Sequence, residues 1–436
     1  MEYLSVTDAQ KCILESVNKL DSETVGLEHS LGRVLAEDVR ANRDIPPYDV
    51  SAMDGYAVRS ADLSHIPSVL KVIEDIKAGD MPHKTVKAGQ CSRIMTGAPL
   101  PQGADAVIRV EDTQQVMAEP LSPSALPQAG ERDAASLRES MFDAVQINVA
   151  AKPGTDIRRR GEGMRNGEVV LNAGIEITPG VIGVLATVKS AQVRVYQRPR
   201  VAILSTGNEL EDMDDPVDPN KIPNSNSYAL MAQVQALGIE PDLLGIARDD
   251  PAELEEYLQR GLRFDVLLVS GGTSVGVHDY VRPILESLGV RMKFWRVAMK
   301  PGHPIAFGMT ANSAIFVLPG NPVSSMVCFE QFVAPALRGM TGHARLYRRT
   351  IAARLAQDLK HQPGRTEFVR VMLANEKNGC TAKSTGAQGS GMLLSMARAD
   401  GLMVVPAGSK GISAGEQVIV QVLDGTVFQD DAGFSV

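Results

Sequence analysis

Between residues 193 and 344 the sequence alternates short apolar runs of strand length with stretches of helical periodicity. The runs are RVAILST, PDLLGIA, FDVLLVSGG and SAIFVLPG. Such alternation is typical of βαβ units, in which helices connect parallel strands. We therefore predict a central, doubly wound α/β domain with a mostly parallel sheet over residues 193–344.

The region before this domain has a different pattern, and a length of 436 residues at ~150 residues per domain indicates about three domains. Residues 42–153 contain Pro46 and Pro47, which exclude a continuing helix, and then short β-type runs between Gly and Pro residues. They predict a small β domain. Within it, residues 114–144 are rich in Pro, Ala, Ser and charge without periodicity, which predicts a mobile surface insertion.

The two ends of the chain complete the predicted architecture. Residues 1–41 begin with a helical pattern in which Thr7 and Gln10 have the spacing of a capping box. Residues 154–192 contain a helix start at Thr178 and Pro179, and we expect them to return to this N-terminal arm as one discontinuous mixed domain. Residues 345–436 have short strands and Gly-rich turns, as expected of a C-terminal β barrel. The predicted fold class is thus multidomain α/β plus β.

Composition excludes several classes of protein. A net charge of -8 is unsuited to general nucleic-acid binding, which needs a basic surface. The N-terminus carries acidic residues where a secretory signal has basic ones, and no apolar run approaches the ~18 residues of a membrane span. The four cysteines form no CxxC pair, so we expect reduced thiols in a cytoplasmic protein.

Polar or Gly-rich loops follow all four apolar runs. Because ligands of open α/β sheets bind at the carboxyl ends of the strands, these loops predict a binding site. The candidate binding residues, loop by loop, are Ser205, Thr206, Gly207 and Glu209; Asp249; Gly271, Gly272, Thr273, Ser274, Gly276 and Asp279; and Pro319, Gly320, Asn321, Pro322 and Ser324.

The same loops combine backbone N–H groups suited to phosphate with carboxylates that alone repel it. A hard divalent cation resolves this conflict, and magnesium is suitable because it takes one or two carboxylates together with phosphate oxygens. The predicted metal ligands are Glu209, Asp249 and Asp279. A second, small oxyanion is predicted to bind the next segment, KFWRVAMKPGHP, at Arg296 and Lys300, with Pro301 and Gly302 beside them.

Each of these features also has a simpler explanation. A Gly-rich loop after a strand is often only a turn, and Asp249 precedes AELEEYL in a position that suits a helix cap. Lys300 fits a solvated turn. His278 and His303 have no partner at metal-ligand spacing, so we expect them at the surface or behind the site. Repetition of the pattern at four consecutive strand ends favours a binding site.

Seven motifs, in order, carry a resemblance to a known family. They are PPYDVSAMDGYAV, RIMTGAPLPQGADAVI, STGNEL, SGGTSVGVHDY, WRVAMKPGHP, LPGNPVSS and GRTEFVR. Over nearly its whole length the chain resembles the molybdopterin molybdenumtransferase family, which includes bacterial MoeA and the E domains of a plant enzyme and of animal gephyrin. The resemblance implies a homodimer of four-domain protomers. It also implies that adenylylated molybdopterin, molybdate and magnesium bind, that AMP and molybdenum cofactor are released, and that the upstream adenylyltransferase and cofactor-accepting apoenzymes are partners.

Residue by residue, the resemblance assigns site roles to Asp54, Thr96, Glu209, Asp249, Asp279, Lys300, Arg370 and Ser390. Two positions depart from the family pattern: Arg296 stands where lysine is usual after the tryptophan, and His303 stands where lysine is frequent. The segment 114–144 exceeds the usual β domain. These departures concern oxyanion affinity rather than the reaction class.

Together, the loops and the resemblance predict a mechanism. Carboxylates place magnesium on the pyrophosphate, and the amides of Gly271, Gly272 and Gly276 hold the nucleotide phosphate. Arg296 and Lys300 hold molybdate close to the dithiolene sulfurs, so that proximity supplies much of the rate. The pattern does not identify a general base.

Three other functions remain compatible with the sequence. The sheet domain also resembles the adenylyltransferase that makes the adenylylated pterin, although the additional β domains argue against that enzyme. A non-catalytic, gephyrin-like scaffold is a second alternative, against which the complete acidic set argues. A paralogue that uses tungstate is the third, because the two oxyanions match in charge and nearly in size.

Overall fold

The computed structural model describes residues 3–116, 144–272, 280–376 and 379–423. The chain divides into two compact units. One unit comprises Met1–Glu37, Ala173–Gly183 and Ser190–Val436, and the other comprises Asp38–Asn172 and Val184–Lys189. In the described ranges, no helix has the length and apolar composition of a transmembrane span.

The first unit contains a six-stranded sheet whose first four strands are parallel and whose fifth strand runs antiparallel to both of its neighbours. Side chains from one strand alternate between two cores: Val201 and Ile203 enter the first, and Ala202 and Leu204 enter the second. Burial on both faces explains the uninterrupted apolar runs. The predicted doubly wound, mostly parallel sheet is confirmed. Its strands, in spatial order, are Pro241–Ala247, Val201–Thr206, Val266–Ser270, Ala314–Leu318, Ala306–Met309 and Arg291–Trp295.

Helices cover both faces of this sheet, and the helix Pro251–Gly261 shows how an apolar stripe packs there. In the helix Pro251–Gly261, Leu254 and Leu258 are four residues apart and fully enter the second core, where each buried leucine contributes roughly 1.5–3 kcal/mol. Two short paired strands, Leu210–Glu211 and Ile222–Pro223, follow the sheet strand Val201–Thr206 in the sequence. The remaining helices are Ser225–Gln235, Val281–Ser287, Pro322–Cys328, the π-helical turn Phe329–Val333, and Ala334–Met340.

The N-terminal helix, Val6–Ser16, packs its Ala9 and Ile13 into the first core of the sheet. Its N-cap is Ser5, whose Oγ accepts a hydrogen bond from Asp8 N at 3.1 Å. The predicted capping box at Thr7 and Gln10 is therefore wrong, because Thr7 already lies inside the first turn. Farther along, strand Ser22–Gly26 pairs antiparallel with Gln192–Tyr196.

A closed five-stranded barrel forms the C-terminal part of the same unit, as predicted. The long strand Thr366–Glu376 closes it by pairing with Gly379–Ser384 on one side and Gly401–Val405 on the other. The same long strand also pairs in parallel with Met299–Lys300, which comes from the α/β domain. The other barrel strands are Thr350–Leu355 and Gln417–Val422, with a short helix at Leu393–Ala397 and a peripheral pair at Leu359–Lys360 and Gly411–Ile412.

The second compact unit is built on a six-stranded sheet, which confirms a separate small β structure. Strand Thr113–Val116 pairs with Ala144–Ile147, so both ends of the predicted insertion are strands; its remainder, residues 117–143, lies outside the described residues. The sheet order is Ala106–Arg109, Gly55–Val58, Gln90–Ile94, Ser68–Ile76, Ala144–Ile147 and Thr113–Val116, and two-stranded pairs form between Val50–Ser51 and Ile157–Arg158 and between Val39–Arg40 and Val169–Leu171.

Helix Pro179–Thr187 begins where the sequence predicts it. Thr178 Oγ1 accepts a hydrogen bond from Val181 N at 3.4 Å. Short 3₁₀ turns complete the described secondary structure, at Leu27–His29, Ser60–Leu63 and Val110–Asp112. The four domain boundaries remain predictions.

Candidate active site

A cavity of about 760 Å³ lies at the carboxyl ends of the parallel strands. All four predicted loops contribute to its lining. The predicted residues that line it are Thr206, Gly207 and Glu209; Asp249; Gly271 and Gly272; and Gly320, Asn321 and Pro322. Parallel strands bring these loops together because all their carboxyl ends meet at one edge.

Two exposed carboxylates, those of Glu209 and Asp249, belong to this lining. Asn208 and Asp249 hold their two loops together: Asn208 N donates to the Asp249 carboxylate at 3.2 Å, and Asp249 N donates to Asn208 Oδ1 at 3.1 Å. Arg248 supports the same contact by donating to Leu210 O at 2.8 Å. The geometry therefore fixes one carboxylate-bearing loop against the other.

The helix cap beside Asp249 is its neighbour, Asp250. The Asp250 side chain accepts hydrogen bonds from Ala252 N at 3.1 Å and Glu253 N at 2.9 Å, at the start of the helix Pro251–Gly261. Because Asp250 fills the capping role, Asp249 remains available to the cavity. The simpler explanation of Asp249 as a helix cap is wrong.

Gly271 and Gly272 occupy backbone conformations that suit glycine, with φ of 104° and 65°. A Cβ on Gly271 would lie 2.7 Å from Thr206 O, and a Cβ on Gly272 would lie 2.1 Å from Val281 Cγ2. Only glycine lets this backbone reach the cavity wall. The predicted phosphate contact of the Gly271 amide is wrong, because Gly271 N donates to Leu318 O at 3.0 Å. The other predicted residues of this loop, Thr273, Ser274, Gly276 and Asp279, lie outside the described residues, as does His278, and their roles stay predictions.

A second helix also begins at the cavity, and the sequence reasoning missed it. Asn224, Ser225 and Asn226 line the cavity at the start of the helix Ser225–Gln235. Asn226 Nδ2 donates to Ser270 Oγ at 2.7 Å and to Gly320 O at 2.8 Å, which joins three loops. First-turn N–H groups lack intrahelical acceptors and favour anions. The N-cap-type run NSNS is the sequence signal that identifies this start.

The fourth loop has fewer backbone N–H groups available to bind an anion than the sequence predicts. Its helix, Pro322–Cys328, begins with a proline that has no N–H, and Val323 N already donates to Ser390 O at 3.1 Å. Ser324 is buried, and so is Pro319. Gly320, Asn321 and Pro322 are the parts of this loop that remain at the cavity.

Ser205 supports the cavity from inside the protein. It is 1% exposed, and its Oγ lies 2.8 Å from Asn224 Oδ1 and 2.9 Å from Ser227 Oγ. The prediction that Ser205 binds substrate conflicts with this burial. Its strand alternates sides, and Thr206 is the residue that reaches the cavity.

The segment predicted to hold an oxyanion has two cationic side chains in different situations. Lys300 Nζ forms an ion pair with Glu367 at 2.8 Å. Arg296 is half-buried with a φ of 140°, a conformation rare for a residue with a side chain. Neither side chain is among the described residues that line the cavity. The structure therefore does not show that the predicted oxyanion site and the cavity form one site.

The turn after Lys300 is tightly held. Pro301 and Gly302 are buried, and the Cys328 thiol donates to Gly302 O at 3.4 Å. His303 Nδ1 donates to Val297 O at 2.7 Å, and its ring contacts the Tyr3 ring edge-to-face. His303 therefore stabilises the turn.

Arg370 and Ser390 position a loop from the barrel. Arg370 is 1% exposed; its Nε donates to Ser395 Oγ at 3.1 Å and its Nη2 donates to Gly389 O at 3.1 Å. Ser390 O accepts from Val323 N. The same loop places Gly391 and Leu393 at the cavity. Sequence reasoning missed these two residues, because only the tertiary fold brings the barrel loop there.

Asp54 and Thr96 meet in the second compact unit. The exposed Asp54 carboxylate accepts hydrogen bonds from Thr96 N at 2.7 Å and Thr96 Oγ1 at 2.8 Å. These two bonds, aided by Arg93, hold the pKa of Asp54 below its usual value. The structure thus brings together two predicted site residues that are 42 positions apart in the sequence.

The donor set at the cavity fits magnesium in part. In the described part of the chain, no group of three or more His, Cys, Asp or Glu side chains is arranged to hold a metal ion. Glu209 and Asp249 do share the cavity. Two carboxylates meet the protein's share of a magnesium shell, whose other ligands are substrate phosphate oxygens and water.

Comparison with known proteins places this geometry in context. Residues 4–188 match the family model described as MoeA N-terminal region (domain I and II). Residues 202–339, which include the four cavity loops that follow the parallel strands, match the probable molybdopterin binding domain. Residues 352–423 match the MoeA C-terminal region (domain IV).

Similar proteins extend over almost the whole chain. A molybdopterin molybdenumtransferase of a Nostoc species is 36% identical over 95% of this chain and 93% of its own length. One from Staphylococcus epidermidis is 32% identical over 98% and 97%. The crystal structure of the molybdopterin biosynthesis moeA protein from Pyrococcus horikoshii OT3 has a TM-score of 0.78 at 30% identity and covers 97% of this chain and 100% of that one. This chain belongs to the molybdopterin molybdenumtransferase family.

Proposed function

We propose that this enzyme transfers molybdenum from molybdate to adenylylated molybdopterin and releases AMP, acting at the cavity where the parallel strands end. One observation carries the proposal: Glu209 and Asp249 share a cavity with the backbone of Gly271 and Gly272, inside the segment that matches a probable molybdopterin binding domain. This pairing of acidic side chains with an anion-compatible backbone suits a metal-bound pyrophosphate. Hydrolysis of the phosphoanhydride leaves one phosphate on AMP and one on the pterin.

The adenylyl phosphate is assigned to the polar part of the cavity. The backbone at Gly272 and the first turn of the helix at Ser225 provide N–H groups and a helix N-terminus, which attract negative charge. Asn226 keeps these two elements together through Ser270 and Gly320. These contacts orient the phosphoanhydride in the cavity, and orientation of reacting groups contributes strongly to rate.

Magnesium is the proposed metal, with Glu209, Asp249 and Asp279 as its protein ligands. When bound, it neutralises negative charge on the phosphate oxygens. The chain's own contribution is the Asn208–Asp249 pair of hydrogen bonds, which keeps the Asp249 carboxylate in place before any ligand arrives. Thr273, Ser274 and Gly276 are proposed to complete the phosphate contacts.

Molybdate is the proposed oxyanion substrate, held by Arg296 and Lys300. The Arg296 guanidinium suits a tetrahedral dianion because its planar fork donates two parallel hydrogen bonds. Arg370 is fully buried and acts through the loop that it holds, which includes Ser390. Asp54 and Thr96 are proposed to contribute through the pair that they form in the second unit.

Homodimerisation, a cytoplasmic location, and transient contacts with the upstream adenylyltransferase and cofactor-accepting apoenzymes are part of this proposal. They rest on the family resemblance. The choice between molybdate and tungstate rests on assay alone, because the two dianions match in charge and nearly in size.

The decisive experiment supplies the purified chain with adenylylated molybdopterin, magnesium and either molybdate or tungstate. We expect AMP release coupled to formation of the metal-loaded cofactor. A parallel reaction with ATP and molybdopterin tests for adenylylation, and none is expected. ATP-dependent adenylylation, or tight binding of the adenylylated pterin without turnover, would contradict the proposed function.

A further inference from the structure

Lys300 belongs to a three-residue chain of contacts at the junction of the α/β domain and the barrel. Its ammonium lies 2.8 Å from one oxygen of Glu367, and His361 Nδ1 lies 2.8 Å from the other. The side chains of Glu367 and His361 are 8% and 2% exposed, whereas that of Lys300 is 52% exposed. The contacts therefore run from the buried barrel interior to an exposed cation.

Backbone pairing sets up this arrangement. The strand Met299–Lys300 runs parallel to Thr366–Glu376, with Lys300 opposite Glu367, and Thr366 N donates to Ala298 O at 3.0 Å. Because backbone hydrogen bonds fix this register, Lys300 and Glu367 remain neighbours independently of their side-chain contacts. The same long strand carries Arg370, which anchors the barrel loop at the cavity. One barrel strand thus supports two elements of the candidate site.

Glu367 is ionised despite its burial. Burial opposes the charged form, but the hydrogen bonds from Lys300 and His361 outweigh that effect, so the pKa of Glu367 lies below its usual value. A carbonyl or carboxylate oxygen only accepts, so His361 donates its Nδ1 proton and fixes the rotamer of Glu367. With the carboxylate fixed, one N–H of the Lys300 ammonium has a defined direction.

We propose that Glu367 is a positioning residue for the oxyanion step, acting through Lys300, with His361 holding Glu367 in place. The inference rests on the proposed function, in which Lys300 contacts the oxyanion substrate. A free lysine side chain samples many rotamers, and an oriented ammonium loses less entropy when it binds. Glu367 takes one of the three ammonium hydrogens and leaves two for a tetrahedral dianion.

The alternative is that the ion pair only fastens the barrel to the α/β domain. A fastener would affect stability and every kinetic parameter together. A positioning group would instead change the oxyanion requirement and would have no effect once Lys300 is gone. The coupling between two substitutions therefore separates the two roles.

The experiment measures AMP release against molybdate concentration for Lys300→Ala, Glu367→Gln and the double variant, each with a thermal melt. Glu367→Gln keeps the shape and removes the charge. We expect it to raise the half-saturating molybdate concentration about tenfold, equivalent to ~1.4 kcal/mol, with the rate at saturating molybdate close to wild type. The double variant should match Lys300→Ala alone.

His361→Asn is the matched control, because the asparagine amide can donate to Glu367 from nearly the same place as Nδ1. It should change the half-saturating molybdate concentration by less than about threefold. Where Glu367→Gln fails to fold, Glu367→Asp replaces it: the charge remains, but the side chain is one methylene shorter, and the molybdate requirement should again rise.

Two results would overturn the inference alone: an unchanged molybdate requirement in Glu367→Gln while Lys300→Ala raises it, or a double variant that is worse than Lys300→Ala by the full Glu367→Gln effect. An unchanged requirement in Lys300→Ala would overturn both the inference and the proposed role of Lys300. Loss of AMP release by the wild-type enzyme under all conditions would instead contradict the proposed function.

Discussion

Asp249 and Asp250 are adjacent, exposed and chemically identical, yet the structure predicts opposite outcomes for their substitution. Asp250 caps the helix Pro251–Gly261 with two hydrogen bonds, to Ala252 N and Glu253 N. Replacing it with alanine should cost about 1 kcal/mol of stability, a drop of roughly 2–4 °C in Tm for a domain of this size. Activity at a permissive temperature should remain near wild type.

Asp249 lines the cavity, and its carboxylate accepts a backbone hydrogen bond from Asn208 N at 3.2 Å. Asp249→Asn keeps the size and one acceptor, so stability should change by less than about 0.5 kcal/mol. Removing the charge proposed to hold magnesium should slow AMP release at least ~10-fold, and excess magnesium should restore part of the rate.

The assay is AMP release against magnesium concentration, with a thermal melt of each protein. Asp250→Asn is the matched control, since asparagine caps a helix about as well as aspartate, and it should resemble wild type in both measurements. If Asp249→Asn kept the wild-type rate and magnesium dependence, the placement of the metal at this cavity would be wrong.

Three further predictions follow from the same geometry. Val116 and Ala144 are direct partners in an antiparallel pair, so replacing residues 117–143 with a two-residue turn should leave Tm and AMP release close to wild type; loss of either contradicts this. Glu367 has a depressed pKa, so the stability excess of wild type over Glu367→Gln in urea unfolding should be full above pH ~4.3 and fall on further acidification; a pH-independent difference argues against it. Gly271→Ala should lower the free energy of unfolding by ~1–3 kcal/mol, because alanine is strained at this backbone conformation. It should also weaken AMP binding, measured by titration calorimetry; unchanged AMP affinity contradicts this.

The parts of the fold that the sequence predicts are those in which burial dictates composition. Strand Val266–Ser270 is completely buried because helices cover both faces of the sheet, and continuous apolar runs of strand length follow from that. The loops after the strands are also predictable, since parallel strands align their carboxyl ends. The cavity therefore forms where the sequence indicates.

Other parts of the site depend on tertiary contacts that no local pattern contains. Asp249 and Asp250 both suit a helix cap, and only the backbone geometry decides which of them caps. Leu393 reaches the cavity from the barrel, which is distant in sequence. Glu367 meets Lys300 through strand pairing between domains, and neither residue alone predicts the other.

Departures from the predicted site have physical reasons. Ser205 alternates with Thr206 along a strand, so one of the two must face inward. The helix at Pro322 starts with a residue that has no N–H, and Val323 N is already used. The helix that begins at Ser225 also has its N-terminus at the cavity, where Ser225 and Asn226 belong to the lining.

The most direct test of the central claim is the crystal structure of this protein with AMP and magnesium. The account predicts the AMP phosphate inside the cavity at the strand ends, within ~2.7–3.2 Å of backbone nitrogen at Gly272 or in the first turn of the helix at Ser225. Magnesium should lie between that phosphate and the carboxylates of Glu209 and Asp249. AMP bound outside this cavity, or inside it with its phosphate turned away from these groups, would contradict the account.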